Sequence, residues 1–321
     1  MEMVEEGQKQ PKISQKRIEL EDIVEEGGED RISALQDCLL LEILSRLPST
    51  EGAIRTSTLS KRWEHLWTSL PNLRFRYYDD NRPLSDFVSF VDKTLSQCRH
   101  LKLKRLYVRR TDSEVKLFDQ NFFTSSFLTE LRLWNCMYDP TEAISWKNLR
   151  YLRIGYARLD EDLIENILSG SPELETFVLE DCYGFSFLDI TSKSVNLVLT
   201  GYRNSKPEYA GVGDVIKINA PNILSLTIDD CLEMRKLLLL NVASLVEANL
   251  DYVFITYLNP IPKKVKAEML KEIITNLHYV KELNIGMDCY KLLNRLKAKG
   301  FTIPSNIKFL PSAYHWSDRY G

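Results

Sequence analysis

The chain has 321 residues, which fits one large domain or two of ordinary size. Hydrophobic residues make up 44% of it and charged residues 27%, a composition that argues for a sizeable core and against an extended, coreless chain. The formal net charge of −3 argues against a protein that binds nucleic acid over its whole surface.

The first thirty residues differ from the rest, because they hold ten acidic and four basic side chains and their few apolar residues keep no helical period. We therefore predict an acidic disordered arm over residues 1–29. The basic residues between Lys9 and Arg17 form at most a weak nuclear-import signal.

No apolar segment follows Met1, and no apolar run approaches the about 20 residues that cross a bilayer, so we expect neither secretion nor a membrane span. The six cysteines never form Cys-x-x-Cys, which argues against a zinc ribbon or a redox pair. Reduced thiols and a location in the nucleus, the cytoplasm or both follow from these features.

Residues 35–47 have the spacing of an amphipathic helix, which Pro48 ends. Its apolar stripe consists of Leu35, Leu39, Leu40, Ile43, Leu44 and Leu47. Ser49 or Thr50 can cap a second short helix, and Ser60 a third. Three short helices form too small a body to bury every apolar side chain that they carry, so part of this surface is expected to meet another protein.

The stretch from Asp30 to Ser49, together with Arg55 to Trp67, resembles the F-box of the plant F-box/leucine-rich-repeat family of the FBD type. We assign residues 30–75 to this F-box and residues 76–100 to a linking helix region. Two positions depart from the family pattern: Gln36 stands where proline is usual, and Gly52 stands where a helix-favouring residue is expected. Both departures bear on the affinity for a partner.

The resemblance implies that the F-box docks on a Skp1-like adaptor. Trp63 and Trp67 are four residues apart on one predicted helical face, and tryptophan is enriched at interface hot spots. A plain three-helix packing unit, with either tryptophan in its core, is the alternative, and the sequence does not divide the stripe between core and interface. The residues predicted to bind the adaptor are Leu35, Leu39, Leu40, Ile43, Leu44, Leu47, Pro48, Leu59, Trp63 and Trp67.

A repeat of the form Leu-x-x-Leu-x-Leu-x-x-Cys runs through residues 101–290, which predicts leucine-rich repeats. Each Leu-x-Leu predicts a short strand with alternate side chains in the core, and the cysteine packs beneath the turning backbone. The markers of this core are Leu131, Leu133, Cys136, Leu179, Cys182, Leu226, Ile228 and Cys231.

Helical returns are expected between the strands, for example over Asp160 to Ser169 and Lys264 to Leu277. The predicted fold class is α + α/β: a helical F-box followed by an irregular leucine-rich-repeat solenoid with a curved parallel sheet, whose concave strand face is the expected binding surface. Residues 291–321 form a C-terminal segment. Because the family often continues with a further domain, we expect the chain to lack a complete FBD domain.

No catalytic residue, metal or cofactor is expected, since the four histidines are scattered and no catalytic motif occurs. Gly211-Val-Gly213 indicates a loop, and Asp160 to Asp162 suits a helix N-terminus. Asp229-Asp230 is expected in a turn after a strand, and Arg109-Arg110 as solvated loop charges.

The resemblance implies a substrate-recognition adaptor of an SCF-type (Skp1–cullin–F-box) E3 ubiquitin ligase, a subunit that is not itself catalytic. Its partners would be a Skp1-like adaptor, through it a cullin, and an unknown protein substrate, without nucleic acid or membrane. The alternative is a non-ligase leucine-rich-repeat interaction scaffold. A small ligand in the solenoid has no support in the sequence.

Overall fold

A computed structural model describes most of the chain between residues 32 and 309. The described residues are 32, 34–77, 83–98, 103–109, 115–116, 120–137, 140, 143–191, 195–203, 214–232, 234–254 and 261–309. The predicted acidic arm, the segment Lys9 to Arg17, the loop at Gly211 to Gly213, and His100 and His315 lie outside the described residues.

Two α-helices open the described chain: α1 (Asp37–Ser45) and α2 (Thr50–Arg55). Helix α1 begins and ends two residues inside the predicted range 35–47. The predicted third helix is wrong, because turns and a short 3₁₀ helix at Leu66–Ser69 follow Ser60 instead. The i to i+3 hydrogen bonds of this segment keep the chain helically wound. Its apolar residues, which recur at spacings of three and four, therefore still lie on one buried side.

Ten parallel strands, numbered in chain order with those of the minor sheets, form the main sheet. In spatial order they are β1 (Asn72–Arg76), β2 (Arg105–Arg109), β4 (Glu130–Trp134), β6 (Tyr151–Gly155), β7 (Thr176–Glu180), β9 (Asn196–Tyr202), β11 (Ser225–Leu232), β13 (Glu247–Phe254), β14 (Glu282–Ile285) and β15 (Ile307–Phe309). Each repeat thus adds one strand beside the strand of the previous repeat.

The template leucines fill the space behind the main sheet, as predicted. Leu131 and Leu133 of β4, and Leu226 and Ile228 of β11, are fully buried. The intervening residues point to the opposite side, because successive side chains of a strand alternate. The main sheet extends beyond the template at both ends, to β1 and to β15, where the leucine spacing gives no full copy.

The returns between strands are of two kinds. In the outer repeats the chain returns through helices: α3 (Leu84–Gln97), α4 (Gln120–Phe123), α5 (Glu161–Gly170), α6 (Lys263–Asn276) and α7 (Met287–Lys297). Two short strands, β3 (Val115–Lys116) and β5 (Cys136–Met137), also pair with each other there. The middle repeats return through β8 (Phe187–Asp189), β10 (Asp214–Asn219) and β12 (Met234–Leu240), which form a second parallel sheet.

The expected helical returns are therefore absent from the middle repeats, whose described returns are strands. Ile216 and Ile218 of β10 are both fully buried, two residues apart. A period of two with β-branched residues favours a strand over a helix.

No helix in the described part of the chain is both long and apolar enough to cross a bilayer.

The cysteine of the template has the predicted place in two of three full copies. Asn135 and Asp181 adopt left-handed backbone conformations with φ of 57° and 48°, and the next residues, Cys136 and Cys182, are buried with their thiols against strand-end carbonyls. The prediction is wrong for Cys231, which is exposed. Strand β11 does not turn after six residues but runs on to its last residue, Leu232, which is buried instead.

Candidate functional site

Helix α1 carries the apolar stripe of the F-box segment, and the structure divides this stripe. Leu40 and Leu44 are buried, whereas Leu39 is 49% exposed and Ile43 is 42% exposed. Leu39 and Ile43 are four residues apart and thus share one face of the helix. Large apolar side chains on a water-facing helix surface are available to a partner.

The ten residues predicted to bind an adaptor fall into two groups. Leu40, Leu44, Trp63 and Trp67 are buried, so both tryptophans belong to the core of the described structure. The others retain exposed surface: Leu35, Leu39, Ile43, Leu47, Pro48 and Leu59. Leu59 is the most accessible apolar side chain among them, with 65% of its surface exposed.

The two departures from the F-box pattern have simple local environments. Gln36 directly precedes α1, and its carbonyl accepts hydrogen bonds from the N–H groups of Leu39 and Leu40, as the residue before a helix should. The N–H of Gly52 donates to the N-cap hydroxyl of Ser49, at 3.2 Å. Neither departure interrupts a helix.

Helix α2 is joined to the main sheet by a buried hydrogen bond. The N–H of Arg74 in β1 donates to the hydroxyl of Thr50 at the start of α2, with 2.7 Å between the two atoms. Thr50 is buried, and β1 is the edge strand of the main sheet. The hydroxyl therefore occupies the side of β1 where no further strand pairs, and it fixes α2 against the edge of the main sheet.

The side chains that alternate with the buried leucines form the outer face of the main sheet. The strand register aligns them in rows that cross the sheet. One row runs through Arg74, Tyr107, Arg132 and Arg153 on β1, β2, β4 and β6. Adjacent strands lie about 4.8 Å apart, so this row places four large side chains within about 15 Å.

The first three strands give the outer face a group of five arginines around one tyrosine, which we call the basic patch: Arg74, Arg76, Arg105, Tyr107, Arg109 and Arg132. The guanidinium of Arg76 lies over the ring of Tyr107, 5.5 Å from its centre. Arg109 pairs in register with Arg76, so its reading as a loop charge is wrong. Within the described residues, Glu130 is the carboxylate that pairs with this patch, bound to Arg105 and Arg132.

A buried ion pair lies beside the basic patch, on the next two strands towards the middle of the sheet, β6 and β7. Arg153 contacts Glu180 on the neighbouring β7 at 2.7 Å, and the side chains are only 9% and 19% exposed. The indole N–H of Trp134 donates to the same carboxylate at 3.1 Å. Gly155 is required beside Trp134, because a Cβ there would lie 2.5 Å from the indole ring.

The opposite end of the outer face is polar and acidic. The amide of Asn284 donates to Asn249 at 2.8 Å, and the amide of Asn249 donates to Thr227 at 3.1 Å, so these buried side chains join three strands. Asp251 accepts a hydrogen bond from the N–H of Asp288 and thus caps α7. Asp229 lies within β11 and is buried, so its predicted place in a turn is wrong.

The cysteines and the acidic cluster considered above as reactive or metal-binding groups take part in packing and helix capping. Burial raises the pKa of the Cys182 thiol to about 12 and that of Cys98 to about 11, so both stay protonated at neutral pH and lack the thiolate of a nucleophile. Asp160 caps α5, as predicted, by accepting a hydrogen bond from the N–H of Leu163. No cluster of three or more potential metal ligands occurs among the described residues.

Comparison with protein families assigns both halves of this arrangement. A model described as "F-box domain" matches residues 32–75. A second model, described as "FBD-associated F-box protein At5g56370, LRR repeats", matches residues 92–248. The first range holds α1, α2 and all of β1 except Arg76, and the second holds six of the ten strands of the main sheet in full. An F-box joined to such repeats suggests an adaptor role.

Relatives from Arabidopsis thaliana align over most of the chain. F-box protein At5g03100 is 31% identical over 308 residues, which are 87% of this chain and 95% of that protein. Putative F-box/LRR-repeat protein At3g28410 is 29% identical over 303 residues, 87% of this chain and 63% of that protein. The chain also spans 64% of putative F-box/LRR-repeat protein At5g02700. The chain therefore belongs to the plant family of F-box proteins with leucine-rich repeats.

Proposed function

We propose that this protein is a substrate-recognition adaptor of an SCF-type E3 ubiquitin ligase. In this proposal the F-box binds a Skp1-like protein, and through it a cullin, while the repeats hold the target. The observation that carries it is the exposure of Leu39, Ile43 and Leu59 within the segment that matches an F-box. Burying such side chains against a partner is favourable by about 25 cal/mol for each Å² removed from water.

The proposed role requires no bond-making group in this chain. An adaptor that holds a target beside a ubiquitin-loaded enzyme turns their encounter into an intramolecular one, which raises the effective concentration of the target. The hydrogen bond between Thr50 and Arg74 supports this role, because it ties an F-box helix to β1, the edge strand of the main sheet that the repeats continue. The distance between the bound adaptor and the bound target would then vary little.

Co-purification with a Skp1-like protein tests the proposal. Ile43→Asp combined with Leu59→Asp places charges on the exposed apolar positions without altering a buried residue. The matched control is Leu224→Asp, since Leu224 is 49% exposed and lies before β11, outside the F-box match. We expect the wild type and the control to retain the Skp1-like protein and the double variant to lose it.

The same experiment separates the adaptor from the alternative scaffold. If the wild type captures target proteins but no Skp1-like protein, the ligase role is refuted and the scaffold remains. If Skp1-like binding survives the double variant, the exposed F-box residues are not the docking surface. Ubiquitination of the captured targets in a reconstituted ligase is the final measurement, because the scaffold predicts none.

We also propose a location in the nucleus, the cytoplasm or both. All six cysteines are free in the structure, which suits a reducing compartment. A fluorescent fusion imaged in plant cells tests this location, and accumulation in the secretory pathway would contradict it.

A further inference from the structure

We propose that the basic patch binds an acidic, extended segment of the target protein. This inference rests on the proposed function, in which the repeats hold a target, and it specifies where and by what chemistry they do so. The patch lies on the outer faces of β1, which ends the F-box match, and of β2 and β4, the next two strands of the main sheet. Its guanidinium groups are planar forks whose N–H pairs match the two oxygens of a carboxylate.

The charge balance of these strands is the first argument. Their outer positions carry five arginines, and Glu130 is the one carboxylate among those positions. Glu130 contacts Arg105 at 3.2 Å and Arg132 at 2.7 Å, so a single negative charge is shared between two of the cations. Within the described residues, Arg74 and Arg109 have no carboxylate partner. A ligand that brings carboxylates would supply these missing partners.

The distribution of charge along the outer face is the second argument. Apart from Glu130 and Glu180, which pair with arginines, its acidic residues occupy outer positions on the later strands: Asp229, which is buried, Glu247, Asp251, and Glu282, which pairs with Lys308. A bound segment therefore meets arginines at β1 to β4 and carboxylates at β13 and β14. This arrangement favours an acidic ligand at one end of the face and repels it from the other.

The geometry favours a peptide over a nucleic acid. Single-stranded nucleic acids bind through bases that stack on free aromatic rings. Here the rings of Tyr107 and Trp134 contact each other at 5.1 Å between centres, and Arg76 and Arg153 lie over them. These rings carry arginine side chains and are not left open as stacking platforms. Within the basic patch, Arg76 over Tyr107 and Arg132 over Tyr151, at 4.9 Å, are thus pre-organised, which lowers the entropy lost when a carboxylate binds.

A display selection tests the inference, with the full chain as bait and peptides of random sequence as the probe. We expect the enriched peptides to carry a clear excess of Asp and Glu. Arg74→Gln combined with Arg109→Gln should weaken the enriched peptides by about tenfold or more, since two charge-assisted pairs are lost. The matched control, Lys264→Gln with Lys297→Gln, removes two exposed cations from α6 and α7 and should leave binding unchanged.

Two readouts keep the outcomes distinct. Binding of a Skp1-like protein is measured on the same variants, and its retention shows that the arginine variant is folded and that the proposed function stands. Enriched peptides without acidic character, or equal losses in both double variants, would overturn the inference. Arginine-dependent binding of single-stranded RNA without binding of acidic peptides would overturn it as well, because the patch would then serve a nucleic acid.

Discussion

Replacing Thr50 by valine removes one hydrogen-bond acceptor and leaves the shape of the side chain almost unchanged. The hydroxyl of Thr50 accepts from the N–H of Arg74 at 2.7 Å, and Thr50 is only 3% exposed. Leu73 and Phe75, on either side of Arg74, are also buried, so water has little access to the released N–H. A buried donor without an acceptor costs about 1–3 kcal/mol, and this is the destabilisation that we expect.

Hydrogen exchange of the Arg74 amide, combined with thermal unfolding, measures this effect. Each kcal/mol lost corresponds to a fall of about 2–4 °C in the midpoint for domains of 150–250 residues. The control is Thr50→Ser, which keeps the acceptor and loses one methyl group, worth about 1 kcal/mol. The valine variant should expose the Arg74 amide to exchange, whereas the serine variant should keep it protected.

The reasoning would be refuted if the valine variant unfolded at the wild-type temperature with the Arg74 amide still protected. That result would mean that the hydroxyl of Thr50 does not join α2 to β1. If the amide exchanges faster in both variants, the loss of packing rather than the hydrogen bond is responsible.

Three further predictions concern the ion pair, a glycine and a thiol. Glu180→Ala removes the carboxylate that balances the buried charge of Arg153 and should cost about 3–5 kcal/mol in urea unfolding, whereas Glu175→Ala, at a well-exposed pair, should cost less than about 1 kcal/mol. Gly52→Ala should raise stability by about 0.5–1 kcal/mol, because a Cβ there meets only the hydroxyl of Ser49 at an ordinary 3.6 Å. Burial raises the pKa of the Cys182 thiol to about 12, so this thiol should resist alkylation in the native state from pH 7 to 10. The thiol of the unfolded chain ionises near its usual pKa, so the free energy of unfolding should fall as pH rises from about 9 towards 12. Unfolding measured across that pH range checks this.

The leucine template predicted the main sheet because it reports directly which side chains face the core. Leu131 and Leu133 are two residues apart, which is the period of a strand with one buried face. The template does not encode where a strand ends. Cys231 is therefore exposed, since β11 continues past the expected turn and buries Leu232 in its place.

The candidate sites were predicted less completely. The apolar stripe of α1 identified the F-box surface, but a stripe does not show which of its members a neighbouring element covers, and the burial of Trp63 and Trp67 depends on such neighbours. The basic patch was missed, although a signal for it exists. Arg105 and Arg109 flank buried residues at even spacing, as the outer positions of a strand do, and reading Arg109 with Arg110 as a loop pair obscured this period.

The local charge of the outer face, rather than the net charge of the chain, governs how a target segment is bound. A formal net charge of −3 produces no strong long-range field, and at physiological salt the screening length is only about 8 Å. The basic patch therefore attracts a target segment only within roughly this screening length. It contributes less to the association rate than to the selectivity for one segment over another. That choice is set by the spacing of Arg74, Arg76 and Arg109, which the strand register of β1 and β2 fixes. A target whose carboxylates alternate along an extended chain matches this spacing, whereas an equally acidic helix presents its charges at intervals of three and four residues and does not.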